Sequence, residues 1–528
     1  MSDIAEPARM ALADRCRTIW KGRATVAEEG TVCRLRCSLV DLVQICEWLI
    51  SNHDYSFAFL VVEGKQPDLR LIYAFLGRAG REWIEIEPSL PTARTHVRSI
   101  AAIIPAADWH EREAADLFGI VFEGHPRLGP FVLHEGAKRD VGMTCADFAE
   151  SFTPSSELER PTVEPMLEAP GAFAMPIGPV FSDVAESVHI RIGSIGEDVS
   201  RVALRPFYKY RAVEKRAEGQ DIDTALLLAE RFSGTAAFAH GLAFCQAIEA
   251  ITGTSPPPRA LLLRTLLAEL ERVRSHVAAI TGICNSTALA VATSVAAILE
   301  EELLRLSCTF SGHRYFFGCL RPGGLRSDME DTLCHDLGRA VSGIAARLDR
   351  LERMLRQSSS FLDRLEEMGV VSEETADLLG LVGPVARASG IRRDMRELFP
   401  YAAYTAYRPE VPIGREGDCY ARLRVLFREA SASAALIGAV CHDLPAGPVN
   451  TTDPQPISGS ATGIVEAPLG AAFHWVHLGI DGRVRRLRIT SPSFANWRGF
   501  QSAAEGFAFQ DFPIILASFA ISNAESDR

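Results

Sequence analysis

RALLLRTLLAELERVRSHVAAITGIC, residues 259–284, decides the fold. Apolar residues recur at i, i+3, i+4 and i+7 over many turns, the pattern of a helix that buries one face. Pro256-Pro257-Pro258 stands just ahead and supplies a rigid helix start. A second run of the same kind, DTLCHDLGRAVSGIAARLDRLERMLRQSSSFLDRLEE, covers 331–367. Helices of this length must pack their apolar faces on one another, so residues 221–365 predict a long-helix bundle.

Outward from this bundle the texture changes. HIRIGSI (189–195) and VSRVALRP (199–206) read as strands before it. After about residue 460 the pattern is mixed, with a strand in VRRLRITSP (484–492) and a last apolar run, FPIILASFAI (512–521). Residues 31–86 alternate short β-rich runs with one helical stretch, DLVQICEWLISN (41–52), which reads as a small α+β domain. A helical run over TARTHVRSIAAII (92–104) is expected next, leading into WHEREAADLFGIVFEGHPRL (109–128). Residues 140–176 carry acids, five prolines and little periodicity, and so read as a linker. The whole predicts an α+β chain: a small domain over 1–139, a linker over 140–176 and a mainly helical domain with peripheral strands over 177–528. No internal repeat is visible.

Composition bounds the function. The 528 residues are 47% hydrophobic and 23% charged, with a formal net charge of −12. That acidic balance, with no basic run, argues against nucleic acid or an anionic lipid surface as a direct partner. None of the twelve cysteines forms a Cys-x-x-Cys pair, and Cys33-x3-Cys37 has no second pair to complete a zinc site. Scattered buried thiols of a reduced compartment are expected, and no metal bound by the chain. MSDIAEPARMALADRC lacks an apolar signal core, and the most apolar stretch, Thr287 to Leu299, is too short to span a bilayer. The expectation is a cytoplasmic protein that meets a membrane only through partners.

Two sets of motifs carry the chemistry. The first is Trp109-His110-Glu111-Arg112-Glu113, then Asp116-Leu117-Phe118-Gly119-Ile120, Phe122 and Gly124-His125-Pro126. Read on its own, such an acid-base cluster beside a glycine turn is a structural ion-pair knot more often than a catalytic centre. The string resembles the 30-kDa-type subunit of respiratory complex I and its counterpart in membrane-bound group 4 [NiFe] hydrogenases, where it implies a docking element. The second set is longer. Gly178-Pro179, Gly196-Glu197, Tyr208-x-Tyr210-Arg211-x-x-Glu214-Lys215, Arg231…His240 and Glu269-x-x-Arg272-x-x-x-His276 come first. Arg321-Pro322-Gly323-Gly324-x-Arg326, Gly383-Pro384-x-x-Arg387-Ala388-x-Gly390, Asp394-x-Arg396, Pro400-Tyr401, Glu466-Ala467-Pro468 and a closing Asp527-Arg528 follow. Their order resembles the complex I 49-kDa-type subunit and the group 4 hydrogenase large subunit. The two halves share one chain, as in formate hydrogenlyase-type complexes.

The resemblance implies a metal site and then departs from it. In the hydrogenases two cysteine pairs hold nickel and iron, because soft anionic sulfur stabilises those metals. Here the pairs fall on Ser233 and Ala236, in RFSGTAAFAH, and on Ser522 and Glu525, in SNAESDR. The family's iron-facing arginine in E-A-P-R-G is Leu469. The complex I quinone histidines fall in register on Phe181 and Ala185, and its tyrosine on Gly234, although Glu525-x-Asp527-Arg528 resembles that family's close. His189 matches the group 4 histidine and not the quinone ligand.

What stays is the surrounding machinery. Glu214 resembles a proton-relay glutamate with a raised pKa; a buried ion pair with Arg211 explains it equally well. His276, beside Arg272, resembles the histidine near a terminal iron–sulfur cluster held by a partner; a satisfied core histidine is the alternative. Asp394 and Arg396 read as a structural pair or part of a proton path. The implied function is an electron-handling large subunit of a complex-I-like membrane assembly, coupled to proton or ion translocation without a [NiFe] centre. The implied partners are a small iron–sulfur subunit of the 20-kDa type, a ferredoxin-like 8-iron subunit, and antiporter-like and quinone-site-type membrane subunits. The iron–sulfur cluster belongs to the partner and no cofactor to this chain. A redox-inactive scaffold is the alternative, and a conventional NADH:quinone or hydrogenase subunit a third.

Overall fold

In the computed structural model the described residues are 12–29, 32–51, 55–65, 68–78, 81–90, 96–133, 166–167, 169–180, 186–451 and 457–528. They form two compact units, Met1–Leu158 and Glu159–Arg528. Phe181, Ala185, Cys145 and most of the expected linker lie outside the described residues.

The first unit is a mixed sheet with helices. Helix α1 (Leu12–Ile19) precedes strands β1 (Ala24–Glu29) and β2 (Val32–Ser38), helix α2 (Leu39–Ser51), and strands β3 (Tyr55–Lys65), β4 (Asp68–Gly77) and β5 (Trp83–Ser89). The strand order is β1-β2-β5-β4-β3, with β2 and β5 the parallel pair. Period-two alternation aims Cys33, Leu35 and Cys37 of β2 inward and Arg36 outward. Helix α2 buries Leu42, Val43, Ile45, Cys46 and Leu49, as an amphipathic crossover must.

One expectation fails here. The described part of that run, residues 96–104, is not a helix: β6 (His96–Arg98) pairs in parallel with β7 (Val121–Glu123), and a turn follows. β-Branched Val97 favours the strand, Pro105 limits any helix, and burial of Val97 and Phe122 in the pair outweighs weak periodicity. Helix α3 (Asp108–Phe118), between those strands, ends on Gly119 at φ 66°, a left-handed cap that glycine adopts without strain.

The Trp109–Asp116 motif works as internal stapling. Glu111 accepts from the Ser99 hydroxyl and from Ile100 N (2.9 Å). Asp116 gathers Phe131 N (2.7 Å) and Val132 N (2.9 Å), and the Arg112 guanidinium lies 4.3 Å from the Phe131 ring centre. Its carboxylates satisfy backbone amides that would otherwise be buried without partners.

The second unit opens with an antiparallel sheet, β10-β9-β8, of β8 (Ala172–Ile177), β9 (His189–Ile195) and β10 (Asp198–Arg205). Strand β8 starts inside the expected linker: Phe173 to Pro176 pair with β9, whose ladder offers partners that local composition does not reveal. Helices α4 (Val213–Ala217), α5 (Ile222–Arg231), α6 (Ala237–Thr252), α7 (Pro258–Ser286) and α8 (Ala290–Ser311) follow. A short hairpin, β11 (Leu320–Arg321) with β12 (Gly324–Leu325), leads to α9 (Asp331–Arg356). Next come α10 (Gly383–Ala388) and α11 (Cys419–His442). Helix α7 packs on α8 and α11, and α9 closes the group against both of these.

The expected bundle is present, and α7 is its axis rather than an amphipathic wall. It buries side chains all round, including Arg264, Glu269, Glu271, Arg272, Arg274 and His276. A hairpin of β13 (Gly459–Ala467) and β14 (Gly470–Leu478), continued by β15 (Val484–Thr490), packs on α6. The approach is close: a Cβ on Gly463 would lie 1.8 Å from Ala243 O, so only glycine fits. Helices α12 (Pro492–Ala504), α13 (Phe512–Phe519) and α14 (Asn523–Asp527) complete the chain. The FPIILASFAI run is thus helical through Phe519. Among the described cysteines Cys308 is exposed and Cys319 half-buried; the others are buried, as expected. No helix among the described residues is long and apolar enough to cross a membrane.

Candidate functional site

Charge is concentrated where α7, α10, α11 and β13 meet. Arg387 of α10 donates from Nε to Glu429 (2.6 Å) and from Nη1 to Glu466 (2.8 Å), with Asp394 at 3.5 Å. Arg396 donates to Asp394 (2.7 Å) and Glu269 (3.0 Å). Arg272 reaches Glu269 at 3.4 Å and turns its other nitrogens to the carbonyls of Glu466 (2.7 Å) and Ala467 (3.0 Å). The Tyr404 and Ser433 hydroxyls also donate to Glu269, and His276 Nε2 lies 3.0 Å from Glu429. All of these side chains are buried.

The expected Asp394–Arg396 pair is therefore real and part of a larger network. His276 and Arg272 sit inside it, and His276 is fully buried. Burial raises a carboxyl pKa, but the adjacent guanidiniums overcome it for Glu269 and Glu429, which are held at about 2. Burial lowers the pKa of His276, and its Nδ1 has no hydrogen-bond partner among the described residues.

A second site joins the two loops at which the resemblance places metal ligands. Arg211 Nη2 bridges Phe232 O (2.6 Å) and Ala524 O (2.9 Å), tying one loop to the other. Helix α7 holds the first loop from below. Glu271 accepts from Phe238 N (2.8 Å) and Ala239 N (2.9 Å), while Arg274 donates to Gly234 O (3.0 Å) and Thr235 O (2.8 Å). The space between is filled by a buried chain: Ser493 to Glu525, Glu525 to His240 Nε2 (3.1 Å), and His240 Nδ1 to His474 Nε2 (3.0 Å). Burial and the neighbouring His240 push His474 well below its ordinary pKa, so it is neutral.

The donor set does not suit a soft metal. Ser233 bonds Thr235 (2.9 Å), Ser522 bonds Glu186 (3.1 Å), Ala236 offers a methyl group, and Glu525 is engaged by His240 and Ser493. No group of three or more His, Cys, Asp or Glu side chains able to hold a metal ion occurs among the described residues.

Two expectations about Glu214 are corrected. It does not pair with Arg211; it accepts from Arg486 (3.0 Å), Arg488 (3.4 Å) and Ile489 N (3.0 Å), with Arg528 at 3.7 Å. Its pKa is not raised. Burial pushes it up, but three guanidiniums outweigh that and hold it at about 2. The arginines come from β15 and the C-terminus, far away in sequence.

Sequence reasoning missed several members of these sites, among them Glu429, His474 and Tyr404. Glu429 is a carboxylate just ahead of the small and apolar run ASASAALIGAV of α11, and His474 interrupts the apolar run AAFHWV; both were legible as misplaced polar residues. Tyr404 carried no such signal.

These carboxylates set a pH profile. Glu214, Glu269 and Glu429 lie below the ordinary carboxyl pKa, so the stability they add is complete above about pH 4.5 and is lost as pH falls toward about 2. Glu230, Glu271 and Glu466, pushed up to about 7 by burial, act oppositely. The folded state holds their protons more tightly, so stability falls as pH rises from about 4.5 to about 7. The melting midpoint of the full chain is expected to peak at about pH 5 and decline to either side, as calorimetry across pH would show.

Comparison with known proteins agrees with this architecture. Residues 35–142 match the family described as respiratory-chain NADH dehydrogenase, 30 Kd subunit. Residues 290–458 and 450–528 match the corresponding 49 Kd subunit family. A fused NADH-quinone oxidoreductase chain of Bdellovibrio bacteriovorus is 27% identical over 469 residues, 81% of this chain and 83% of that protein. The carbon monoxide-induced hydrogenase of Rhodospirillum rubrum is 30% identical over 358 residues, 66% of this chain and 96% of that one. Among solved structures, a chain of the membrane-bound sulfane sulfur reductase, an archaeal respiratory membrane complex, superposes with a TM-score of 0.64 at 27% identity. That superposition covers 68% of this chain and 99% of the other. These matches define the class: subunits of complex-I-like or membrane-bound hydrogenase-related complexes. The chain belongs to the fused 30 and 49 kDa respiratory-chain NADH dehydrogenase family, together with its membrane-bound hydrogenase relatives.

Proposed function

We propose that the chain is the large subunit of a complex-I-like, membrane-associated oxidoreductase that handles electrons from a partner's iron–sulfur cluster, couples them to proton or ion movement, and holds no [NiFe] centre. One observation carries this reading: the four ligand positions contain no sulfur, while the ionic network beside them is intact. A catalytic nickel requires thiolates, and a hydroxyl, a methyl and an already bonded carboxylate do not replace them. The relatives support the assembly, since they include an NADH-quinone oxidoreductase subunit, a hydrogenase and a respiratory membrane complex acting on sulfane sulfur. Membrane association then comes through partner subunits on the inner face: a small iron–sulfur subunit, a ferredoxin-like subunit, and antiporter-like and quinone-site-type membrane subunits.

The residues take defined roles. Arg211 holds the two emptied loops together. Asp394, Arg396 and the rest of the ionic network supply fixed charge and proton-binding capacity in a dry core, where electrostatic effects are large. His276 and Arg272, being buried, act on the partner's cluster through their field rather than by contact. Glu214 stays ionised and anchors the C-terminal arginines.

Metal analysis of the purified assembly, combined with a hydrogen assay, tests the reading. Iron from partner clusters without stoichiometric nickel, and no hydrogen uptake or evolution, are expected. Stoichiometric nickel with hydrogenase activity would refute it. Clusters that are reduced but never reoxidised through the assembly would instead mark a scaffold.

A further inference from the structure

We propose that Glu466 carries the exchangeable proton of the buried network, so that the centre of the bundle binds one proton. This inference stands whether or not the subunit is free of nickel, because it concerns none of the side chains at the four ligand positions.

The first argument is charge balance. Three guanidiniums, Arg272, Arg387 and Arg396, face four carboxyls, Glu269, Asp394, Glu429 and Glu466, and all are buried. With every carboxyl ionised and His276 neutral, the cluster would carry one uncompensated negative charge, which is costly in a dry core. One bound proton removes it.

Hydrogen bonding then says where the proton sits. The groups that act on Glu466 are Arg272 from α7, Arg387 from α10, Asp394 and Met395 N from the segment after it, and Tyr401, whose hydroxyl meets the Glu466 backbone. Glu269 is saturated by Arg396, Arg272, Tyr404 and Ser433. Asp394 accepts both Nε (3.0 Å) and Nη2 (2.7 Å) of Arg396, as well as Arg396 N (2.9 Å). Glu429 has Arg387 Nε to itself and His276 on its other oxygen.

Glu466 has less. Among the described residues it accepts Arg387 Nη1 (2.8 Å) and Met395 N (3.0 Å) alone, and that same Nη1 also serves Arg393 O (3.0 Å) and faces Asp394. Arg272, the other nearby cation, bonds the Glu466 backbone carbonyl and not its carboxylate. Burial and the negative charge of Asp394 push the Glu466 carboxyl up to about 7, in agreement with this geometry. His276 is the rival proton holder, because protonating it would also neutralise the cluster.

Infrared difference spectra of the full chain in its native assembly, recorded on either side of neutrality in H2O and D2O, distinguish these cases. Subtracting the Glu466→Gln spectrum from that of the unsubstituted protein should leave one protonated-carboxyl C=O band that weakens as pH rises through neutrality and shifts in D2O. Glu230 and Glu271 are common to both samples and cancel. Glu466→Asp should keep a band at a displaced midpoint, and His276→Gln should leave the band in place. Coincident Glu466→Gln and unsubstituted spectra, or loss of the same band in His276→Gln, would overturn the proposal. Because the band reports a proton and not turnover, its loss is separable from failure of the nickel-free reading.

Discussion

Replacing Arg387 with methionine is expected to destabilise the larger unit by about 3–5 kcal/mol, the usual result of stripping one partner from a buried ionic cluster. The cause is specific. A single guanidinium faces Glu429, Glu466 and Asp394; its loss strips the cation from Glu429 and Glu466 in an apolar core, while Asp394 keeps Arg396 and Arg272 stays on Glu269. Lysine should rescue little, since one ammonium cannot repeat the fork that spans Nε and Nη1. Equilibrium denaturation of Arg387→Met and Arg387→Lys checks both statements. A loss under about 1 kcal/mol would show that the carboxyls neutralise by proton uptake at small cost.

The second large effect concerns Glu214. Glu214→Gln leaves Arg486, Arg488 and Arg528 close together without their shared anion and is expected to destabilise by a similar amount, about 3–5 kcal/mol. The double substitution Glu214→Gln, Arg488→Met should recover part of that loss, because it removes a buried cation as well as the anion. A proton relay predicts something else: stability near that of the unsubstituted protein and a selective fall in proton-coupled turnover. Denaturation of the two variants, read beside turnover of the assembly, separates an anchor from a relay.

Much of this protein is legible in one dimension. The long amphipathic period in 331–356 specifies a helix because burial of a stripe every 3.6 residues leaves no other regular structure, and the same apolar spacing in 259–284 marks the helix that becomes the bundle's axis. Alternation in 32–38 specifies a strand for the matching reason at period two. The absence of sulfur at 233, 236, 522 and 525 needs no coordinates either, since ligand chemistry belongs to the residue itself.

Where sequence reasoning failed, a distant partner outweighed a local preference. His96–Arg98 became a strand because Val121–Glu123 supplied its ladder, and Ala172–Ile177 did so because β9 supplied another. Glu214 shows the same rule in electrostatics. Burial, which can be anticipated from its neighbours in the chain, raises its pKa; three arginines more than 270 positions away in sequence reverse the sign. The ionic centre joins positions 269, 387, 394, 396, 429 and 466, which no spacing rule connects. The chain by itself determined which elements form and which metal chemistry its residue types can support. Only the tertiary structure decided which charges share a dry core, because Coulomb interactions depend on distance through space and not along the backbone.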